Sequence, residues 1–337
     1  MKNSEHQGAV DSHRKKTPKI IEAIATIMEY ETAGDPVSGC KWTRKTTAKV
    51  AHQLKRAGIR VSANTVGKLL KQMNFSLRTN IKGLESGLNK PPDPRERDLQ
   101  FRYIRNQIRQ YAENGMPVIS VDTKSRELIG KFHQFGRRWT QKPIKVLDHD
   151  FPSDSKGVAI PYGIYDLSRN EGFVYVGTTR DTSEFAVDSI RTWWLQVGLA
   201  HYPYADCLLI LADCGGSNGY RTRLWKHRLQ VAFCNRFNIQ VKVCHYPPGS
   251  SKWNPIEHRM FSFISNNWAA QPLINYETVL KFIRTTKTTA GLKIRALLTN
   301  KQYQKGLKIS DQQMKHIVLK RYTLRPNWNY SIAPSKM

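Results

Sequence analysis

Cys244-His245-Tyr246-Pro247-Pro248-Gly249-Ser250-Ser251-Lys252-Trp253-Asn254-Pro255-Ile256-Glu257-His258-Arg259 ends one predicted strand, crosses a stiff turn and opens a helix. Pro255 suits a first helical turn, where its missing N–H is no loss, and Asn254 is the expected N-cap. Glu257 is thereby placed in the first turn, over the carboxyl end of the preceding strand. An acid there also favours the helix dipole, so its position alone does not assign it a role.

Two aspartates resolve that ambiguity. Asp213 follows Cys207-Leu208-Leu209-Ile210-Leu211-Ala212, an apolar run that reads as a fully buried strand, and Asp122 follows Val118-Ile119-Ser120-Val121, entered through Pro117. Aspartate is a poor strand former and its charge is costly at the edge of a core unless something compensates it. Three carboxylates delivered by successive elements point to a shared cation. Hard ions such as magnesium take oxygen ligands, and a pair of them can clamp the attacking and leaving oxygens of a phosphodiester.

The rest of the 337-residue chain agrees with a polyanionic partner. Lys and Arg number 54 against 26 Asp and Glu, a net charge of +28 that is spread along the sequence with Trp and Tyr interleaved. No long apolar run or signal peptide is present, so a membrane is not the expected partner. The five cysteines form no C-x-x-C pair, and Cys244 with His245 lacks a second pair at zinc-finger spacing. Reduced thiols in a cytoplasmic, nucleoid-associated protein are expected.

Residues 1–16 read as a loose basic tail, and a helix is predicted from Thr17-Pro18 to about Gly34. A second helix, Thr46 to Ala57, a glycine turn at Gly58 and a third helix capped by Ser62 form a helix-turn-helix pattern. Ser62, Asn64, Thr65, Lys68 and Lys71 would face a DNA groove; a plain helical bundle with a solvated basic face has the same pattern. Three prolines within Pro91-Pro92-Asp93-Pro94 mark a semi-rigid linker, and Arg95 to Glu113 an Arg-rich helix. The expected division is 1–88 DNA-binding, 89–114 linker and basic helix, 115–290 catalytic and 291–337 C-terminal extension. Within 115–290 the order is strand, strand, strand, helix, strand, helix, strand, helix, an α/β domain on a mixed sheet. Arg137 and Arg138 belong to a basic aromatic patch, Phe132 to Trp139. A capping box is predicted at Ser310, and Trp328 and Tyr330 are expected to close the core.

This order resembles the ribonuclease H-like fold of DDE transposases and integrases, a mixed five-stranded sheet with flanking helices. The motifs Val121-Asp122-Thr123-Lys124, His149-Asp150-Phe151-Pro152-Ser153, Pro161 to Leu167, Leu211-Ala212-Asp213 with Gly215 to Gly219, and His245 to Arg259 are similar to the Rhodopirellula-type transposases of bacterial insertion sequences. Asn254-Pro255-Ile256-Glu257 is also similar to the glutamate motif of the mariner-like superfamily. The resemblance implies that Asp122, Asp213 and Glu257 hold two magnesium ions, or manganese. It implies hydrolysis and strand transfer at transposon ends on double-stranded DNA, with a homodimer joining two ends. Lys252, His258 and Arg259 beside the glutamate are expected on the DNA. Asp148, Asp150, Asp154, Asp166, Asp188 and Asp206 are expected to be structural. Two departures are Cys214, where the family more usually has glycine, and the start just before Pro18, where relatives carry another helix-turn-helix. A shortened copy is therefore expected, the alternative function being a remnant that binds DNA without cutting it.

Overall fold

The computed structural model describes residues 18–27, 33–34, 41–42, 46–75, 93–148 and 152–335. The predicted N-terminal tail, residues 28–32 of the first helix, the start of the proline linker and Asp150 lie outside them, and Ala33–Gly34, expected at the end of that helix, is a short strand paired antiparallel with Lys41–Trp42. The chain forms two compact units, residues 1–82 and 83–337.

The first unit contains a helix over residues 18–27, then α1 (Thr47–Arg56) and α2 (Ala63–Gln72). Ile24, Val50, Leu54, Val66 and Leu69 recur at helical spacing and close a small core. Thr46 caps α1 through the Lys49 amide, and Ser62 caps α2 through the Thr65 amide. Gly58, at φ +81°, makes the turn between them, a conformation that L side chains rarely adopt. Helix, glycine turn and helix are as the sequence predicts.

The second unit is built on one mixed sheet. Its central strands are β1 (Val118–Thr123), β2 (Val158–Asp166), β3 (Glu171–Gly177), β4 (Cys207–Ala212) and β5 (Gln240–His245). β1 pairs antiparallel with β2, β2 antiparallel with β3, β1 parallel with β4 and β4 parallel with β5. The spatial order 3-2-1-4-5 is that of the ribonuclease H-like fold. Hairpin connections join the first three strands and helical crossovers the later ones, so the carboxyl ends of β1, β4 and β5 lie side by side.

Three further strands widen this centre. β6 (Lys293–Thr299) adds parallel to β3 at one edge, while β7 (Leu319–Arg321) and β8 (Asn329–Ile332) extend the other, β8 lying antiparallel to β5. The C-terminal extension thus completes the sheet beside β5. Tyr330 is buried, as expected, whereas Trp328, expected in the core with it, is only half-buried.

Helices cover both faces. α3 (Pro94–Glu113) packs on β1 and β4, burying Ile104 with Val118, Leu209 and Leu211. α4 (Ser183–Trp193) and α5 (Arg223–Arg228) each run on through a π turn, Trp194–Gly198 and Leu229–Cys234, and bury the largest aromatic cluster around Trp193, Trp194, Trp225 and Phe233. On the opposite face lie α6 (Ser262–Asn267), entered through a π turn at Glu257–Phe261, and α7 (Tyr276–Arg284). Asn275 caps α7, and the short α8 (Asp311–Lys315) carries the predicted Ser310 capping box.

Candidate active site

Asp122 is the penultimate residue of β1, and Asp213 directly follows β4. β1 and β4 are parallel neighbours, so both aspartates emerge at the same end of the sheet. Glu257 begins the π turn at the head of α6. Single π turns inside α-helices are uncommon and recur at functional sites. The helix reaches this position because the strand beneath it is bare of a side chain: opposite Asp122 the ladder has Gly163, where a Cβ would come within 2.5 Å of Phe261 and 2.7 Å of Met260. Glycine at that position lets the helix rest directly on β2.

The three carboxyl groups sense one another. Burial pushes Asp122 well above the ordinary carboxylate range, and the charges of Asp213 and Glu257 add to it, against the Thr123 amide, which donates to Oδ1 at 2.8 Å. Burial likewise raises Asp213 to about 6; the Asn254 amide pulls it down and Glu257 pushes it up. The carboxyls are neighbours without being gathered about one point. Among the described residues no three His, Cys, Asp or Glu side chains are arranged to hold a metal ion. As a donor set they nonetheless suit a hard divalent cation: oxygen ligands only, and two half-buried acids whose charge is held back by burial and mutual repulsion that a cation would relieve.

Asn254 is the hub of the supporting structure, in a way the sequence does not show. Its side chain was expected to cap the helix; instead it is fully buried and points at the sheet. Its Oδ1 accepts from the Ser120 hydroxyl, and its Nδ2 donates to Asp213 Oδ1 at 3.1 Å and to the Val121 carbonyl at 3.4 Å. The cap passes to Ser120, whose Oγ accepts from the Ile256 amide at 3.1 Å. One serine on β1 and one asparagine before Glu257 thereby tie together the three elements that carry the acids. Asn218 of the glycine loop also donates to the Val121 carbonyl, at 3.5 Å.

A second buried layer lies behind Asp213. His245, at the end of β5, has its imidazole pushed down to about 4 by burial and is therefore neutral. Its Nδ1 lies 2.8 Å from the Asp213 carbonyl and its Nε2 3.2 Å from the Tyr330 hydroxyl. Both ring nitrogens are thus engaged, and the Cys244 thiol, fully buried, is pushed up to about 12. Cys214 donates to the Tyr246 carbonyl at 3.0 Å.

The remaining sequence-predicted residues fall in three places. Ser62, Asn64, Thr65, Lys68 and Lys71 are all exposed on α2, where the Ser62 hydroxyl is engaged as the cap. Arg137 and Arg138 are exposed beside Phe135 and Trp139, both of which are largely bare to solvent. Lys252, His258 and Arg259, close to Glu257 in the chain, are exposed. Of the other acids, Asp166 accepts from the Ser168 amide and the Tyr202 hydroxyl, and Asp188 pairs with Lys301 at 2.6 Å. Asp154 is exposed in a short turn. Asp181, not singled out by the sequence, is half-buried next to Thr123 and Ser217, and burial raises its carboxyl above the usual range.

Residues 23–334 match the family described as the Rhodopirellula transposase DDE domain. Solved structures with a similar fold include Mos1 transposase in a paired-end complex with the left transposon end, at 13% identity and a TM-score of 0.41, covering 71% of this chain. A pre-cleavage Mos1 transpososome stands at 13% identity, TM-score 0.41 and the same coverage. A Mos1 paired-end complex with Mn stands at 14%, TM-score 0.39 and 71% coverage. The chain spans 65% of the Mos1 chain in the first and third of these and 66% in the second. No curated protein matches the sequence.

Proposed function

Because the chain belongs to the family of Rhodopirellula transposase DDE domains, we propose that it is a DNA transposase of an insertion sequence. It hydrolyses phosphodiesters at the ends of its element and joins the freed 3′ ends to target DNA. The observation that carries this reading is that Asp122 and Asp213 leave parallel neighbouring strands at the same end of the sheet, with the charge of Glu257 adding to the upward push on both carboxyls.

Asp122, Asp213 and Glu257 would hold divalent ions, two magnesium ions in the full reading, with manganese able to substitute. Bound there, such ions activate an oxygen nucleophile and stabilise charge on the nonbridging phosphate oxygens. The chain's own groups do the positioning. Asn254 holds one oxygen of the Asp213 carboxylate by its amide donor, and the Thr123 amide holds one oxygen of Asp122. Lys252, His258 and Arg259, exposed beside Glu257 in the chain, offer donors for the phosphates that flank the scissile bond. In the N-terminal unit, Asn64, Thr65, Lys68 and Lys71 present one exposed face of α2 to the major groove of the element ends, with Ser62 setting the start of that helix. Arg137 and Arg138, interleaved with exposed aromatic rings, bind DNA. The functional division is 1–88 for end recognition, 89–114 as connector, 115–290 for chemistry and 291–337 as the extension that completes the sheet. Double-stranded DNA in the nucleoid is the partner, and a homodimer brings two ends together. Among the described residues no helix is long and apolar enough to cross a membrane.

The test is end cleavage by the purified chain on DNA carrying the element's terminal repeats, with magnesium, against Asp122→Asn, Asp213→Asn and Glu257→Gln. Wild-type nicking and joining, lost in all three variants while DNA binding persists, is the expected result. An Asp213→Asn protein that cleaves at the wild-type rate overturns the assignment, and binding without cleavage by the wild type overturns the enzymatic reading.

A further inference from the structure

The hydrogen bonds behind Asp213 have fixed directions. The Trp225 indole can only donate, so at 3.0 Å its Nε1–H goes to the Tyr330 oxygen. The phenol's single proton is then free for His245 Nε2, at 3.2 Å. With Nε2 accepting from the phenol, the proton of the imidazole sits on Nδ1 and is donated to the Asp213 main-chain carbonyl, which can only accept, at 2.8 Å. A second arm meets the same histidine. Gln100 of α3 donates to the His245 carbonyl at 2.9 Å and forms a reciprocal amide pair with Asn329 of β8, at 2.9 and 2.7 Å.

Gln100, Trp225, His245 and Asn329 are wholly buried, and Tyr330 nearly so. Buried polar chains of this kind are costly unless every member is satisfied, and rigid when they are. Their position is informative. The β4–β5 ladder ends with the pair Ala212–His245, so Asp213 lies one residue beyond it and its carbonyl has no strand partner. The side chain of the last β5 residue supplies the missing bond, and the residue that orients that side chain comes from β8, 85 positions later.

We propose that His245 and Tyr330 are positioning residues that hold the Asp213 backbone, and through it the Asp213 carboxylate, in place to bind a divalent metal ion, making the C-terminal strand β8 part of the active site. This rests on the assignment of Asp213 as a metal ligand. Neither residue touches DNA or metal in this scheme; each acts through Asp213.

The experiment measures manganese binding to the full chain without DNA, from the electron paramagnetic resonance signal of the free ion, beside thermal melting of each variant. Tyr330→Phe removes the proton given to His245 and is expected to weaken manganese binding about tenfold, whereas His245→Asn, whose amide nitrogen occupies the place of Nδ1, stays within about twofold of wild type. His245→Leu loses binding at least as much as Tyr330→Phe. A folded Tyr330→Phe protein that binds manganese like the wild type overturns the proposal, whatever its melting temperature, and it decides the matter alone should His245→Leu fail to fold. Asp213→Asn separates the two levels of argument. If it binds manganese normally, Asp213 is not a ligand and the assignment beneath the proposal fails. If it loses binding while Tyr330→Phe does not, only the positioning role fails.

Discussion

Asp213→Asn is expected to stabilise the metal-free protein above about pH 6 while abolishing cleavage, and the size of the gain follows from the carboxyl's surroundings. Burial raises Asp213 from 3.8 to about 6 in the folded chain. The unfolded chain gives up this proton near its ordinary value, while the native state keeps it until about 6. Between those values the native state binds more protons, so stability falls as pH rises through the window and the full cost is present above it. The interval corresponds to about 3 kcal/mol, which the part of Asp213 still in contact with water trims to about 2 kcal/mol. In a unit of this size that is roughly 4–8 °C in melting temperature. Asparagine keeps an oxygen where Asn254 Nδ2 donates, so the substitution removes the charge without orphaning its partner. It also relieves Asp122, whose proton is held partly by the charge on Asp213. The assay is urea unfolding of both proteins in a chelating buffer from about pH 4 to about pH 8. Wild-type stability should drop more steeply across the window than that of the variant, which keeps the raised Asp122 and Asp181 carboxyls, and added magnesium should raise the wild type but not the variant. Parallel curves, or a variant less stable than wild type at the alkaline end, would refute the reasoning.

Two other perturbations separate support from chemistry. Asn254→Ala strips partners from the buried Ser120 hydroxyl and from Asp213 at once, and should cost about 2–3 kcal/mol in urea unfolding; a cost below about 0.5 kcal/mol would show that the hub is dispensable. In the N-terminal unit, Lys68→Ala combined with Lys71→Ala should leave melting unchanged, since both side chains are exposed, but lower the slope of log affinity for end DNA against log salt by about 2. An unchanged slope would place the DNA elsewhere on the surface.

The parts of the site that could be read from sequence are those whose signal is local. Asp122 and Asp213 stand out because each closes a short β-rich run, wholly apolar before Asp213 and broken only by Ser120 before Asp122, a pattern complete within seven residues. Glu257 stands out because prolines and a glycine fence off the turn before it. The helix-turn-helix is legible for the same reason, since Ser62 caps the helix that it precedes by one residue. Asn254 shows where this logic ends. Its spacing to Glu257 describes a cap, yet Ser120, 134 residues earlier, takes the cap and leaves the asparagine to hold Asp213. No local pattern contains that competition, because it is decided by the β1–β4 pairing that brings strand and helix together. The same holds for His245, whose two partners lie 32 and 85 positions away, and for β7, where a half-buried leucine and two exposed charged residues give no strand periodicity. Acids at the ends of strands advertise themselves because an uncompensated charge beside a core is improbable. The groups that orient them are ordinary buried polar residues, and only the assembled sheet shows that their hydrogen bonds converge on the acids.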